Sequence, residues 1–476
     1  MNIKFVLKIF FAICCLYILL VIRARDFGRY PIAGNSDELN YGWSGISLIQ
    51  EGKPFGWSYH KAYPESWVFY DGIIDRDNQI QIGGRMVRPW LDEPPLFSLL
   101  AGGSAHLYGQ KAWSVLSSGY IRIPSIIFGF GTTIVLWLWG GPLVAVIYTL
   151  TPLITFSSRL ALPENGISFL FTLSLYLYWK FKERALSVIA VLIGLAGLMK
   201  PTGFFILFLF LFFEFKEKHF KQGLYFFLKV LPFVFLFLSY YWWLGGFQAF
   251  DILKVQGFRP TGWTSLSFIL NTPIFSTGSD TFYDGWYVFS IFSSFILLAM
   301  RGKTNKLISY LAFAIMFWFG IVMASAGEQD ALAWYRYPIF PLISFMAAIA
   351  VKEMLENPTW WWGFLSVGLL LSSRFYLHNA FIPTTSTGMY KAVLILLAIP
   401  FAWFEIFQKE MFINARKYFL VGILAVGLLF NARYIYSVFS IRCDSITCPI
   451  QQEMFLSSLK LPILWRLLVP SQYIIK

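Results

Sequence analysis

Charge is what this chain has least of: only 13% of its 476 residues are Asp, Glu, Lys or Arg, against about 25% in a soluble domain. A chain that is 57% hydrophobic is not disordered, because disorder needs low hydrophobicity. The same balance argues against a soluble multidomain enzyme. Histidine and cysteine are also scarce, at four each. His60, His106, His219 and His378 are scattered rather than paired, which disfavours a histidine-based zinc site. The 25 acids and 38 bases leave a net charge of +13. Nucleic acid is excluded as a partner nonetheless, since that needs a basic face in water. Here the bases sit mostly in short gaps between apolar runs, as in an inner-membrane protein oriented by its cytoplasmic lysines and arginines. Internal repeats and low-complexity tracts other than the apolar runs are absent.

Those runs are what the chain has in abundance. Crossing about 30 Å of hydrocarbon takes roughly 20 apolar residues. The first run covers residues 5–22 and is followed by Arg23 and Arg25 with no small-residue cleavage site, which predicts an uncleaved anchor. Further runs fall near 121–139, 141–157, 164–180, 186–199, 202–214, 223–243, 286–300, 307–325, 337–351, 359–373, 389–406 and 418–432. The expectation is an all-α polytopic membrane protein with about thirteen spans. With the N-terminus inside, the gaps at 180–184, 216–221, 301–306, 352–357 and 409–417 become cytoplasmic, and each carries Lys or Arg, in accord with the positive-inside bias. The outer side then receives a large first loop over 23–120, a second over 244–285 and a tail over 433–476. This divides the chain into a module over 1–243, the second loop, a C-terminal set of spans over 286–432, and the tail. Cys14 and Cys15 fall inside the first span and read as apolar filler. Cys443 and Cys448 fall in the outer tail, where oxidation predicts a disulfide.

Chemistry-bearing residues collect at the outer ends of these spans. Asp37 and Glu38 follow the first span, with Ser36 placed to cap a short interfacial helix over 38–50. The ordinary reading of this acidic pair is that it favours a helix N-terminus. Asp92 and Glu93 precede Pro94-Pro95 and a second apolar helix over about 96–108; prolines suit a first helical turn. Two acidic pairs at one membrane surface are costly unless solvated, paired or functional. The turn after the third span holds Arg159 and Glu164, which also fit a snorkelling arginine with a nearby partner. Lys200-Pro201 lies at the next outer turn, and Glu328-Gln329-Asp330 precedes Trp334-Tyr335-Arg336-Tyr337 at the start of the tenth span. Acids and bases gathered at one leaflet suit chemistry on a lipid-linked phosphate: an acid serves as general base, and a cation stabilises the departing phosphate.

In their order along the chain, these motifs resemble those of the GT-C membrane glycosyltransferases. Asp37-Glu38 follows the first span, Glu93-Pro94-Pro95-Leu96 ends the first loop, and Arg159 with Ala161 and Glu164 forms the next turn. Lys200 with Gly203 and a late Arg336-Tyr337 complete the set. The resemblance extends to protein O-mannosyltransferases, the lipid A aminoarabinose transferase and bacterial lipopolysaccharide-core transferases of the RgtA/B/C/D-like type. It covers roughly 1–215 and 328–345. It implies a GT-C fold with short interfacial helices in the first outer loop, and a sugar donor on a polyprenyl phosphate. Transfer to a hydroxyl of a protein, lipid or glycan would occur on the outer face, with inversion. It further implies Asp37 as the base, with Glu38 beside it, and Arg159, Lys200, Tyr335 and Arg336 around the donor phosphate, supported by Glu164. Where these families often carry His or Lys before the double proline, this chain has Glu93. Asp92 and Glu93 are therefore assigned to the acceptor or a cation, and a divalent metal remains an open alternative. The competing classes are a transporter or flippase, expected to bury ionisable residues inside its spans, and a polysaccharide polymerase, expected to carry its large outer loop late.

Overall fold

The computed structural model describes residues 3–31, 36–76, 80–110, 117–257, 285–325, 333–357, 359, 361–369, 387–406 and 410–442. Cys443, Cys448 and Glu328-Gln329-Asp330 lie outside them, as do most of the second outer loop and nearly all of the tail.

Apolar content makes the helices, and proline and glycine end them. Helix α1 (Ile3–Ala24) is the first run. After it come α2 (Ser36–Glu51) and, beyond a small sheet, α3 (Pro95–Leu107), the two short helices of the first loop. Helix α4 (Ser118–Gly140) stops at Gly141, whose φ of 88° is a left-handed value that glycine adopts without strain. Pro142 then opens α5 (Pro142–Leu150), and Pro152 opens α6 (Pro152–Ser157). The expected span over 141–157 is therefore two short helices, because Pro152 has no N–H to continue the ladder. Helix α7 (Pro163–Phe181) also starts on proline. Then come α8 (Leu186–Met199), α9 (Ile206–Lys216), α10 (Phe220–Gly257), α11 (Gly285–Arg301), α12 (Lys306–Ser325) and α13 (Phe340–Glu356). Helices α14 (361–369), α15 (Thr387–Ile406) and α16 (Glu410–Arg442) complete the described chain. Helix α10 continues through 244–257, residues expected in the second outer loop, across a kink at Gly246 (φ 55°).

Among the described residues, five helices are long and apolar enough to cross a membrane: Ser118–Gly140, Phe220–Gly257, Lys306–Ser325, Trp334–Glu356 and Asn414–Ser437. Phe10–Ala24, Gly285–Arg301 and Lys391–Trp403 are shorter apolar helices among the described residues. Outward-facing side chains such as Phe11, Phe235, Trp243 and Leu429 are about two-thirds exposed. Large apolar side chains covering the outside of helices built around a buried core of the same kind need lipid rather than water around them. The chain is an integral membrane protein.

The all-α expectation needs one correction. The first loop carries a three-stranded antiparallel sheet of β1 (Gly56–Ser58), β2 (Val68–Arg76) and β3 (Ile80–Val87), in the order β1-β3-β2. Trp57 pairs with Met86 and Asp71 with Arg85. β2 and β3 contain glycines and lack a clean apolar–polar alternation, so they do not stand out in a sequence dominated by spans. Asn40 on α2 fixes the sheet, its amide donating to the Trp57 carbonyl (2.8 Å) while its carbonyl oxygen accepts from the Trp57 N–H (2.7 Å). Helices α2 and α3 run parallel and touch backbone to backbone. A Cβ on Gly45 would lie 1.8 Å from the Ser98 carbonyl oxygen, and one on Gly102 would lie 2.4 Å from the Ile46 nitrogen. Tyr41 packs edge-on against Phe97 one turn nearer the start (5.3 Å). This close parallel crossing puts the N-termini of both helices, and hence the two acidic pairs, at the same end.

Candidate active site

Lys200 sits where α8 has ended and Pro201 has opened a 3₁₀ turn. Its backbone is extended (φ −157°, ψ 138°), the conformation a following proline favours. The side chain is buried, and its Nζ lies 2.7 Å from Glu164 Oε1 and 3.2 Å from Glu93 Oε1. The same ammonium stands 4.7 Å from the centroid of the Tyr335 ring. Three residues, from the first loop, α7 and the segment before α13, thus converge on one cation in the turn after α8. Burial alone would lower the lysine pKa, but Glu164 and then Glu93 overcome it and hold the group well above its ordinary value. Lys200 is a permanent charge here.

Glu164 lies in the first turn of α7, directly after Pro163, where the helix dipole favours a carboxylate. Trp318 Nε1 donates to the Tyr335 carbonyl (2.7 Å), and Ser168 Oγ donates to the Tyr337 carbonyl (3.2 Å). These bonds pin the 3₁₀ segment Ala333–Ile339 that carries Tyr335. On α2, the half-buried Asp37 is one turn from Tyr41. Burial raises the Tyr41 pKa well above its ordinary value, and Glu93, Glu164, Asp37 and Tyr335 add to the rise. Tyr41 therefore stays a neutral hydroxyl among acids from three elements. Asp92 takes a hydrogen bond from Tyr63 Oη (2.7 Å), which itself accepts from the Leu91 N–H (2.7 Å). Tyr241 on α10 is fully buried within electrostatic range of Glu93 and Asp92.

Asp37 and Glu38 are neighbours with different surroundings. Glu38 is fully buried and takes a two-pronged grip from Arg122, Nε to Oε1 and Nη2 to Oε2, both 2.8 Å. The Ala161 N–H donates to Oε1 as well (2.6 Å). Arg122 also donates to the carbonyls of Phe27 (2.8 Å) and Pro31 (3.0 Å). Expected beside the base, Glu38 instead ties α2, α4, the linker after α1 and the turn before α7 together. Arg159, expected at the phosphate, donates Nε to the Arg23 carbonyl (3.0 Å) and Nη2 to the Ile22 carbonyl (3.1 Å). It thereby caps the end of α1, whose last carbonyls have no partner within the helix. Burial lowers its pKa to about 9, with Arg23 as the next cause. Arg336 is buried over the ring of Tyr287 on α11 (5.2 Å).

Sequence reading missed Arg122, Tyr41, Tyr63 and Tyr241. Arg122 left a signal, a charge at the second position of an apolar run. Tyr41 left a weaker one, its spacing of four from Asp37. Tyr63 left none, and Tyr241 stands among Tyr240, Trp242 and Trp243 at the end of an apolar run, where aromatics commonly face the membrane surface. Buried charge inside the helices is also more than expected: besides Arg122, Glu214 on α9 is buried and accepts from Tyr178 Oη (2.9 Å). Among the described residues, no group of three or more His, Cys, Asp or Glu is arranged to hold a metal ion. Glu93 and Glu164 face an ammonium, so this donor set does not fit a resident divalent cation.

The fold is of the GT-C type. The crystal structure of ArnT from Cupriavidus metallidurans in the apo state matches with a TM-score of 0.53 at 12% identity, covering 96% of this chain and 78% of that one. The same protein bound to undecaprenyl phosphate matches with a TM-score of 0.51 at 13% identity, covering 93% and 79%. The arabinosyltransferase EmbB from Mycobacterium smegmatis gives 0.48 at 10% identity, covering 89% of this chain and 41% of that one. No protein-family model matches the chain, and no curated protein matches it in sequence.

Proposed function

We propose that this protein is a membrane glycosyltransferase that moves a sugar from a polyprenyl-phosphate donor to an acceptor hydroxyl, on the outer face of the inner membrane. The observation that carries the reading is the buried Lys200 ammonium. It is held by Glu93, Glu164 and Tyr335 beside the N-terminus of α2, in a fold shared with a protein crystallised with undecaprenyl phosphate. In the proposed reaction the acceptor oxygen forms a bond to the anomeric carbon while the bond from that carbon to the phosphate oxygen breaks. Asp37 takes the acceptor proton, the polyprenyl phosphate leaves with the bonding electrons, and the anomeric centre inverts. Asp37 suits the base because it is half-buried at a helix start, whereas its neighbour Glu38 is held in a bidentate pair with Arg122. Lys200 and Arg336 oppose the charge that builds on the leaving phosphate. A cation aimed there stabilises the transition state more than the bound donor.

Glu38 and Arg159 belong to the scaffold in this reading, since their hydrogen bonds run to buried protein groups. Asp92, oriented by Tyr63, is assigned to the acceptor in this reading, while Glu93 stays with Lys200. The test is transfer from radiolabelled polyprenyl-phosphate sugars to endogenous acceptors in membranes carrying the protein. Label should pass to lipid, glycan or protein with the wild type and not with Asp37→Asn. Transfer undiminished in Asp37→Asn would overturn the assignment of the base, and absence of transfer from every donor tried would overturn the function.

A further inference from the structure

Lys200 has three N–H protons, and three protein groups crowd its ammonium: Glu164 at 2.7 Å, Glu93 at 3.2 Å and the Tyr335 ring at 4.7 Å. A phosphate oxygen cannot bond this ammonium while all three stay. Glu164 is in the poorest position to leave, with its side chain 1% exposed and its backbone set by the start of α7. Tyr335 is buried on a segment pinned through its own carbonyl. Glu93 makes the longer of the two ion pairs and has the more exposed carboxylate, 14% against 1%. It also lies on the irregular run before Pro94, where the Tyr63 bonds to Asp92 and the Leu91 N–H hold the backbone. Of the two carboxylates on Lys200, Glu93 is thus the one placed to exchange with an incoming anion. Leaving it in place would set a phosphate against two carboxylates around one cation, an unfavourable like-charge arrangement.

Resting on the phosphate reading above, we propose that Glu93 is a placeholder for the donor phosphate. It neutralises Lys200 together with Glu164 until the phosphate arrives, then turns away, and returns to Lys200 as the product phosphate leaves. Glu93 is then a positioning residue that sets how tightly, and for how long, the lipid phosphate is held. A purely structural Glu93 would stabilise the same Lys200 that the phosphate uses, so its loss would weaken binding. A placeholder makes the opposite prediction.

The experiment measures undecaprenyl phosphate binding and dissociation on the full chain in lipid nanodiscs. Glu93→Gln, which keeps the shape and loses the competing charge, should bind about 10-fold more tightly, mostly through slower dissociation. Glu93→Asp, which keeps the charge on a shorter arm, should fall between the two and serves as the reporter if Glu93→Gln does not fold. Lys200→Met combined with Glu164→Gln, which removes the cation without stranding a buried carboxylate, should lose binding whether position 93 is Glu or Gln. Unchanged or weaker binding in Glu93→Gln, with binding lost in the Lys200 variant, overturns the placeholder and leaves the phosphate reading standing. Wild-type binding in the Lys200 variant overturns the phosphate reading itself.

Discussion

Asp37 and Glu38 are consecutive acids on one helix, and neutralising each should produce opposite results. Glu38 is fully buried and accepts three hydrogen bonds, two from Arg122 at 2.8 Å and one from the Ala161 N–H at 2.6 Å. Glu38→Gln presents a nitrogen to at least one of these donors and leaves the Arg122 charge buried without its counterion. Breaking a buried pair by removing one partner costs about 3–5 kcal/mol. Asp37→Asn removes a half-buried charge from a helix start, a change worth about 0.3–1 kcal/mol of stability. As a base, however, Asp37 accounts for about 10²–10⁴-fold in rate. Thermal unfolding of the detergent-solubilised protein, followed by size-exclusion fluorescence, should therefore show a large loss for Glu38→Gln and almost none for Asp37→Asn. Donor turnover normalised to folded protein should show the reverse. The double change Glu38→Gln with Arg122→Met should recover part of the lost stability, because the stranded charge goes with its partner. A Glu38→Gln protein as stable as wild type but inactive would refute the scaffold assignment and move the base to Glu38.

Arg336→Lys keeps the charge but loses the planar fork that grips phosphate in two parallel bonds. It should lose most donor turnover, whereas a fully active Lys variant would remove Arg336 from the site. Gly102→Ala should force α2 and α3 apart, since the added Cβ would meet Ile46 N at 2.4 Å; a loss of about 1–3 kcal/mol is expected by thermal unfolding, with activity falling alongside. The folded Lys200 pKa is raised above its ordinary 10.5, so its contribution to stability is fully present below pH 10.5 and is lost as pH rises through the higher folded value. A pH titration of unfolding should accordingly show no decline that Lys200→Met removes below pH 10. Alkaline phosphatase fused after Lys476 should be active and a fusion after Lys303 inactive; reversed activities would invert the chain in the membrane.

The sequence by itself determined that the chain lives in a membrane, because an apolar run long enough to cross lipid has few other uses, and it marked the breaks where the buried charges meet. Pro94-Pro95, Pro152, Pro163 and Pro201 end or begin helices wherever they stand, since proline lacks the N–H that a helix interior needs. The residues flanking them, Glu93, Glu164 and Lys200, were accordingly legible as a group at one membrane level. The direction of each side chain was not legible, and only tertiary structure decided it. Asp37 and Glu38 are equivalent on paper, yet a one-residue step on a helix rotates the side chain by about 100°. That rotation aims Glu38 at Arg122, 84 residues away. Arg159 fitted phosphate or scaffold equally well until packing placed it against the last carbonyls of α1. The sheet of β1–β3 and the parallel contact of α2 with α3 were likewise decided by packing. Glycine-interrupted strands carry little periodicity, and a glycine announces that a neighbour comes close without saying which one.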